Sequence, residues 1–278
     1  MMKEMSTIKS KPTIGVFDSG FGGLTVLKEL VAQIPNADYL YFGDTARLPY
    51  GSKSVDTVAR YAVEATRFLE AQGANLLVIA CNTATALALD QITGAAHAPV
   101  VGVVEPGAER ASAASKDRRV VVIGTEATVS SHAYLKALER RGIEAREKAC
   151  PLLVPLVEEG WVDHPVTEQV ARIYLNDAFG DGFGSADVLV LGCTHYPLIQ
   201  PLLRRVAPAH VSIVDSAHST AHAVSDKVKE LATREGEKEQ REPALRFFAT
   251  DSVEKFRRLG PNFLGRPIDG VEHVNLRE

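Results

Sequence analysis

Residues 74–87 read ANLLVIACNTATAL and residues 186–199 read ADVLVLGCTHYPLI. Each is an apolar run that stops at a small residue and a cysteine, followed at once by hydroxyl and amide side chains. Upstream of each lies another apolar run with a polar turn, TIGVFDSGFGGLT at 13–25 and VVVIGTEATVS at 120–130. The repeat predicts two similar α/β halves, each presenting a strand C-terminus and a helix N-terminus to a common cleft. In open parallel sheets that is where ligands bind.

The rest of the chain keeps this rhythm. Short β-rich runs at 13–17, 39–42, 76–80, 100–103, 120–123, 144–148, 188–191 and 211–214 alternate with helical patterns such as GGLTVLKELVAQI, VDTVARYAVEATRFLEAQG and SSHAYLKALERRG. Alternation of this kind indicates βαβ units and parallel sheets. The last two patterns close on a glycine suited to a helix C-terminus. The expected architecture is α/β: two open parallel-sheet domains related by pseudo-symmetry, with the active site between them. Residues 1–103 plus 216–278 would form the first, carrying Asp18 and Cys81. Residues 104–215 would form the second, carrying Glu158, Cys193 and His195.

The 278 residues suit two domains, and 45% hydrophobic with 24% charged residues is an ordinary globular composition. With 31 Lys plus Arg against 35 Asp plus Glu, the net charge of −4 offers no general attraction for nucleic acid or anionic membrane. No segment approaches the ~20 apolar residues of a membrane span, and the polar N-terminal tail lacks a signal-type apolar stretch. A cytoplasmic protein is expected. The three cysteines include no Cys-x-x-Cys pair, which speaks against a disulfide framework or a zinc ribbon. The charged run TREGEKEQREP at 233–243 reads as a solvated loop.

Cys81 and Cys193 stand where a strand ends and a helix begins, a setting whose dipole and free N–H groups favour thiolate over thiol. A small buried hydrophobe is the commoner fate of a free cysteine, but packing gives no reason for a matched pair. Cys150, in KACPLLVP, lacks the polar sequel and reads as structural. Two thiols across a cleft suit removal of a weakly acidic carbon-bound proton from one face and delivery of a proton to the other, the reaction of a racemase or epimerase. A redox pair would ordinarily lie closer in sequence, and zinc on Cys81, Cys193 and His195 would need a further ligand.

Asp18 and Ser19 follow the first strand, where glycines let the backbone approach a ligand; a helix cap is the plainer alternative. The stretch from Gly20 to Thr25 has threonine where a dinucleotide fingerprint needs its third glycine, so a nicotinamide cofactor is not expected. Asn82, Thr83, Thr128 and Thr194 are either caps or neutral donors for a carboxylate, and LPYGS at 48–52 offers a turn able to hold one. His195 either tunes the Cys193 thiol or is a hydrogen-bonded structural residue. Glu158 and Glu159 would ordinarily be helix-surface carboxylates.

The motifs DSGFGGLTVL, GDTARLPYGSKS, ACNTATA, CPLLVPLVEEG, GCTHYPLI and VDSA, spread over residues 18–217, occur in the order seen in glutamate racemases, which the chain therefore resembles. Phe21 and Thr85 stand at positions where the family frequently has Val and Ser, and neither change touches a catalytic position. The resemblance implies a cofactor-independent, metal-free enzyme that interconverts L- and D-glutamate and supplies D-glutamate for peptidoglycan. It implies that Cys81 takes the α-proton from D-glutamate and Cys193 from L-glutamate, with Asp18 and His195 as auxiliary acid/base groups and Glu158 a further carboxylate on the Cys193 side. Ser19, Pro49, Tyr50, Gly51, Asn82, Thr83, Thr128 and Thr194, with Asp18 and His195, would hold the substrate. A homodimer is expected on the same ground, and a cell-wall precursor is a candidate allosteric effector whose action the sequence does not decide. Aspartate racemases share the paired-cysteine plan, and a simple binding protein or a gyrase inhibitor is the alternative of a different class; two intact cysteine motifs favour catalysis.

Overall fold

The computed structural model describes residues 11–231 and 242–276. Ten strands build two wholly parallel sheets. The first contains β1 (Thr13–Asp18), β2 (Asp38–Gly43), β3 (Leu76–Ile79) and β4 (Val100–Gly102). The second contains β5 (Arg119–Gly124), β6 (Glu144–Ala149), β7 (Val188–Gly192) and β8 (Ser212–Asp215). The chain then returns to the first sheet with β9 (Leu245–Ala249) and β10 (Glu272–His273). Strand order is β10-β9-β2-β1-β3-β4 in the first sheet and β6-β5-β7-β8 in the second, so β2-β1-β3-β4 is repeated strand for strand. The α/β class with two similar parallel sheets is thus the observed one.

The aliphatic runs of β3 and β7 explain the parallel pairing. Both strands are buried along their whole length, which a strand between helix-covered faces requires and a half-solvated antiparallel strand does not. One apolar cluster runs from Ile14 and Val16 of β1 through Leu24, Leu27, Ala217 and Ala221 to Leu189 and Leu191 of β7. Helix Leu24–Gln33 packs on helix Ser216–Leu231 within it. The two sheets are therefore joined by a continuous core, with the carboxyl ends of β1, β3, β5 and β7 bordering one cavity.

Eight strands are legible in the sequence, and the structure adds β9 and β10. β10 is two exposed residues without an apolar pattern, and the run 244–250 follows a highly charged stretch that masks its strand character. Of that stretch, residues 233–241 lie outside the described residues, as does most of the N-terminal tail. Among the described residues no helix is long and apolar enough to cross a membrane.

β9 is integral to the first sheet. Phe248 is 1% exposed and its ring meets Phe68 edge-on at 5.0 Å. Phe248→Ala is expected to lower unfolding stability by about 3–5 kcal/mol, read by urea denaturation; a loss below ~1 kcal/mol would mean the C-terminal strand is dispensable.

Candidate active site

A cavity of about 410 Å³ opens at these strand ends, lined from one side by Ser19, Cys81, Asn82 and Thr83 and from the other by Thr125, Cys193, Thr194 and His195. Pro49, Tyr50, Gly51 and Glu158 complete much of the wall. The two matched cysteines are thus brought to one enclosed space, although 193 and 81 belong to different sheets.

Cys81 is the N-cap of helix Asn82–Ala95, its sulfur accepting the Ala84 N–H at 3.4 Å. Its thiol donates to Ser19 Oγ at 3.5 Å. The expectation that this helix start favours thiolate is not met. Burial, reinforced by the Asp18 carboxylate, pushes the thiol up to about 12, because desolvation of the anion outweighs a few N–H dipoles. Cys81 is a thiol in the free protein at neutral pH.

At Cys193 the local structure differs from expectation. No α-helix begins there; a single 3₁₀ turn, Tyr196–Ile199, intervenes before helix Gln200–Val206. The compensating charge is His195, whose Nδ1 lies 3.9 Å from Cys193 Sγ. Its Nε2 faces Glu158 Oε1 at 3.2 Å, and Lys255 Nζ donates to Glu158 Oε2 at 2.7 Å. Burial would lower the His195 pKa, but the hydrogen bonds to Cys193 and Glu158 outweigh it and raise it to about 10. Burial likewise opposes ionisation of Glu158, yet His195 and Lys255 hold it down to about 2. The Cys193 side therefore holds an imidazole biased toward its protonated form, and the Cys81 side has the Asp18 carboxyl group nearby.

Asp18 does not line the cavity. It is 1% exposed, its Oδ2 accepts the Gly20 N–H at 2.9 Å, and Thr194 donates to its Oδ1 at 3.5 Å. Burial raises its pKa against the opposing His195 charge and these donors. Thr25, at the place of the missing third glycine, donates to the Gly22 and Thr194 carbonyls at 2.8 and 3.1 Å. Thr128 also sits behind the wall: fully buried, its hydroxyl lies 2.9 Å from Thr125 Oγ1 and 3.3 Å from Thr83 Oγ1. Tyr50 is anchored through its hydroxyl to buried Asp44.

Thr125, Val154, Pro155 and Lys255 line the cavity without having been singled out by sequence. Thr125 had a local signal, since it is the N-cap of helix Glu126–Ser131, its hydroxyl accepting the Thr128 N–H at 3.2 Å. Lys255 had none: it looks like any lysine of an amphipathic helix, and only the return of helix Val253–Leu264 to the cleft brings it to Glu158. Among the described residues no three His, Cys, Asp or Glu side chains are gathered as metal ligands.

The model of the Asp/Glu/Hydantoin racemase family matches residues 14–224. The chain belongs to this family. It is 63% identical to a glutamate racemase of Koribacter versatilis over 96% of this chain and 99% of the relative. The structure of a Francisella tularensis glutamate racemase in complex with D-glutamate superposes with a TM-score of 0.86 at 36% identity, covering 96% and 98% of the two chains. That of the Escherichia coli glutamate racemase, in complex with L-glutamate and the activator UDP-MurNAc-ala, does so at 0.78 and 26% identity over 95% and 98%. The family member described here is accordingly an isomerase of the amino-acid racemase class.

The Glu158–His195 pair makes stability depend on pH with a defined sign. Glu158 is lowered, so its contribution is present above its ordinary 4.5 and lost as pH falls toward about 2. His195 is raised, so its contribution is complete below 6.5 and lost as pH rises through about 10. The stability advantage of the native protein over Glu158→Gln is expected to be greatest near pH 4.5–6.5 and to shrink steadily at higher pH. Urea titrations of both proteins across this range check it, and a pH-independent difference would contradict the ion pair.

Proposed function

We propose that this enzyme interconverts L- and D-glutamate without a cofactor, Cys193 and Cys81 acting as the two proton-transfer groups on opposite faces of the α-carbon. The observation that supports this most is the pairing of two buried thiols on one cavity with different partners behind them: the His195–Glu158–Lys255 chain at Cys193 and Ser19 at Cys81. The assigned starting state has Cys193, beside the His195 ring, as the base and Cys81, whose thiol is pushed up by burial and then by Asp18, as the acid. In that state L-glutamate meets a base at Cys193 and an acid at Cys81.

The Cys193 thiolate takes the Cα proton; the electron pair left on carbon is delocalised into the carboxylate; Cys81 then delivers its proton to the other face. Product leaves with Cys81 as thiolate and Cys193 as thiol, and the reverse reaction starts from that state. Asp18 and His195 serve as auxiliary groups that exchange or balance these protons, and Glu158 with Lys255 steadies the imidazolium. Ser19, Pro49, Tyr50, Gly51, Asn82, Thr83 and Thr194 surround the substrate, with Thr128 supporting Thr83. Glutamate as substrate is supported by the activity for which the relatives are named and by the D- and L-glutamate bound to the two solved enzymes.

The same reading takes D-glutamate for peptidoglycan as the cytoplasmic use of the product and a homodimer as the assembly. A cell-wall precursor as activator is supported by the ligand of the Escherichia coli enzyme. The return of β9 and β10 to the first sheet favours a first domain of 1–103 plus 216–278 and a second of 104–215.

Cys150 is fully buried, its thiol pushed up to about 12 chiefly by burial and directed at the Lys148 carbonyl. Cys150→Ala is therefore expected to keep near-normal turnover, whereas Cys81→Ala and Cys193→Ala each lose racemisation by roughly three or more powers of ten. Circular dichroism of pure D-glutamate incubations reads all three, and similar losses at every position would refute the assignment.

Two bases also leave an isotopic record. In deuterated water, D-glutamate first formed from L-glutamate should carry deuterium at Cα while residual L-glutamate stays protiated. Mass spectrometry of the separated enantiomers at low conversion decides this. Substantial protium in the early product would show one base serving both faces.

A further inference from the structure

Asn82 opens the helix behind Cys81 and lines the cavity, yet it is 3% exposed. Its carbonyl Oδ1 accepts the Tyr134 O–H at 2.7 Å. Its Nδ2 has no hydrogen-bond partner, and it is the one buried side-chain nitrogen or oxygen left so among the described residues. A buried amide nitrogen without an acceptor is costly, so its presence calls for a specific explanation.

Tyr134 decides which end of the amide is left over. It lies in helix Ala133–Glu139, is fully buried, and does not touch the cavity. The phenol proton is directed at Asn82 Oδ1. The ring has room because two neighbours lack side chains: a Cβ on Gly107 would lie 3.2 Å from Tyr134 Oη, and one on Gly192 3.2 Å from Cε2. Donation thus runs from Tyr134 to Asn82 and leaves the Nδ2 N–H donors with no protein acceptor. Turning the amide over would set Oδ1, an acceptor, toward an anionic ligand and leave the phenol proton facing an NH₂ group.

We propose that Tyr134 is a positioning residue that holds the Asn82 amide with its N–H donors toward the ligand, and so sets the cavity's preference for a carboxylate-bearing amino acid. The inference rests on the reading of this cavity as a glutamate site. A residue acting this way contributes to ground state and transition state alike. Because enantiomers are equally stable, kcat/KM must remain equal in the two directions in any variant, so uniform weakening appears as the same rise in both KM values with kcat unchanged.

Tyr134→Phe keeps the ring and removes only the hydroxyl. Its KM for L- and for D-glutamate should rise together by roughly tenfold, the worth of one hydrogen bond to a charged group, with kcat within about twofold. On an Asn82→Ala background the same substitution should change neither KM further; a role confined to packing would act equally on both backgrounds. Equal effects on both, or a fall in kcat with KM unchanged, would overturn the proposal. An arm independent of turnover uses the ligand-free protein labelled with nitrogen-15: the Asn82 side-chain NH₂ pair, assigned by its absence in Asn82→Ala, should shift or broaden in Tyr134→Phe. An unmoved pair would overturn the proposal too. Failure of the native enzyme to racemise glutamate would instead count against the functional reading, while the amide signal still decides the role of Tyr134.

Discussion

The Gly22 segment lies against the turn that carries Thr194 and His195, and the rest of the site depends on that contact. A Cβ at Gly22 would sit 2.2 Å from Thr194 Oγ1 and 2.6 Å from His195 Nδ1, distances no side chain tolerates. Because position 22 is glycine, the loop after β1 and the turn after β7 meet backbone against side chain, and Thr25 and Asp18 bond directly to Thr194. Both cysteines then border one cavity instead of two separate strand-end grooves. The side chains of both cysteines and of His195 are buried there, which strengthens the charge effects among them.

Burial is answered by different neighbours at the two thiols. At Cys81 it dominates, since the nearest charge is a carboxylate and the donors around the sulfur are few. At Cys193 the ring of His195 supplies a counter-charge, itself secured by Glu158 and Lys255. Two cysteines that look alike in the chain are thereby made unlike in chemistry. The difference comes from a second layer of residues more than from the strand ends themselves.

That layer is also where sequence reading was least complete. Asp18 and Thr128, both expected to hold the substrate, stand behind the wall and are hydrogen-bonded to Thr194 and to Thr83 and Thr125 respectively. Tyr134 and Lys255 carry no motif of their own: each is ordinary in its helix and gains meaning only from a partner distant in the chain, Asn82 for one and Glu158 for the other. The helix dipole expected at Cys193 is absent because Pro197 and the turn around it delay the helix to Gln200.

By itself the sequence determined the two-fold α/β plan, since fully aliphatic runs such as 76–79 and 188–191, alternating with helix-length amphipathic segments, suit parallel strands covered on both faces. It also determined which residues end those strands, and hence that Cys81 and Cys193 would stand at sheet ends. Only the tertiary structure decided the upward shift of the Cys81 thiol, the ion pair behind His195, the orientation of the Asn82 amide and the return of β9 to the first sheet. Those depend on desolvation and on contacts between residues far apart in the chain. Local periodicity carries neither quantity, because both arise only when the two halves close on one another.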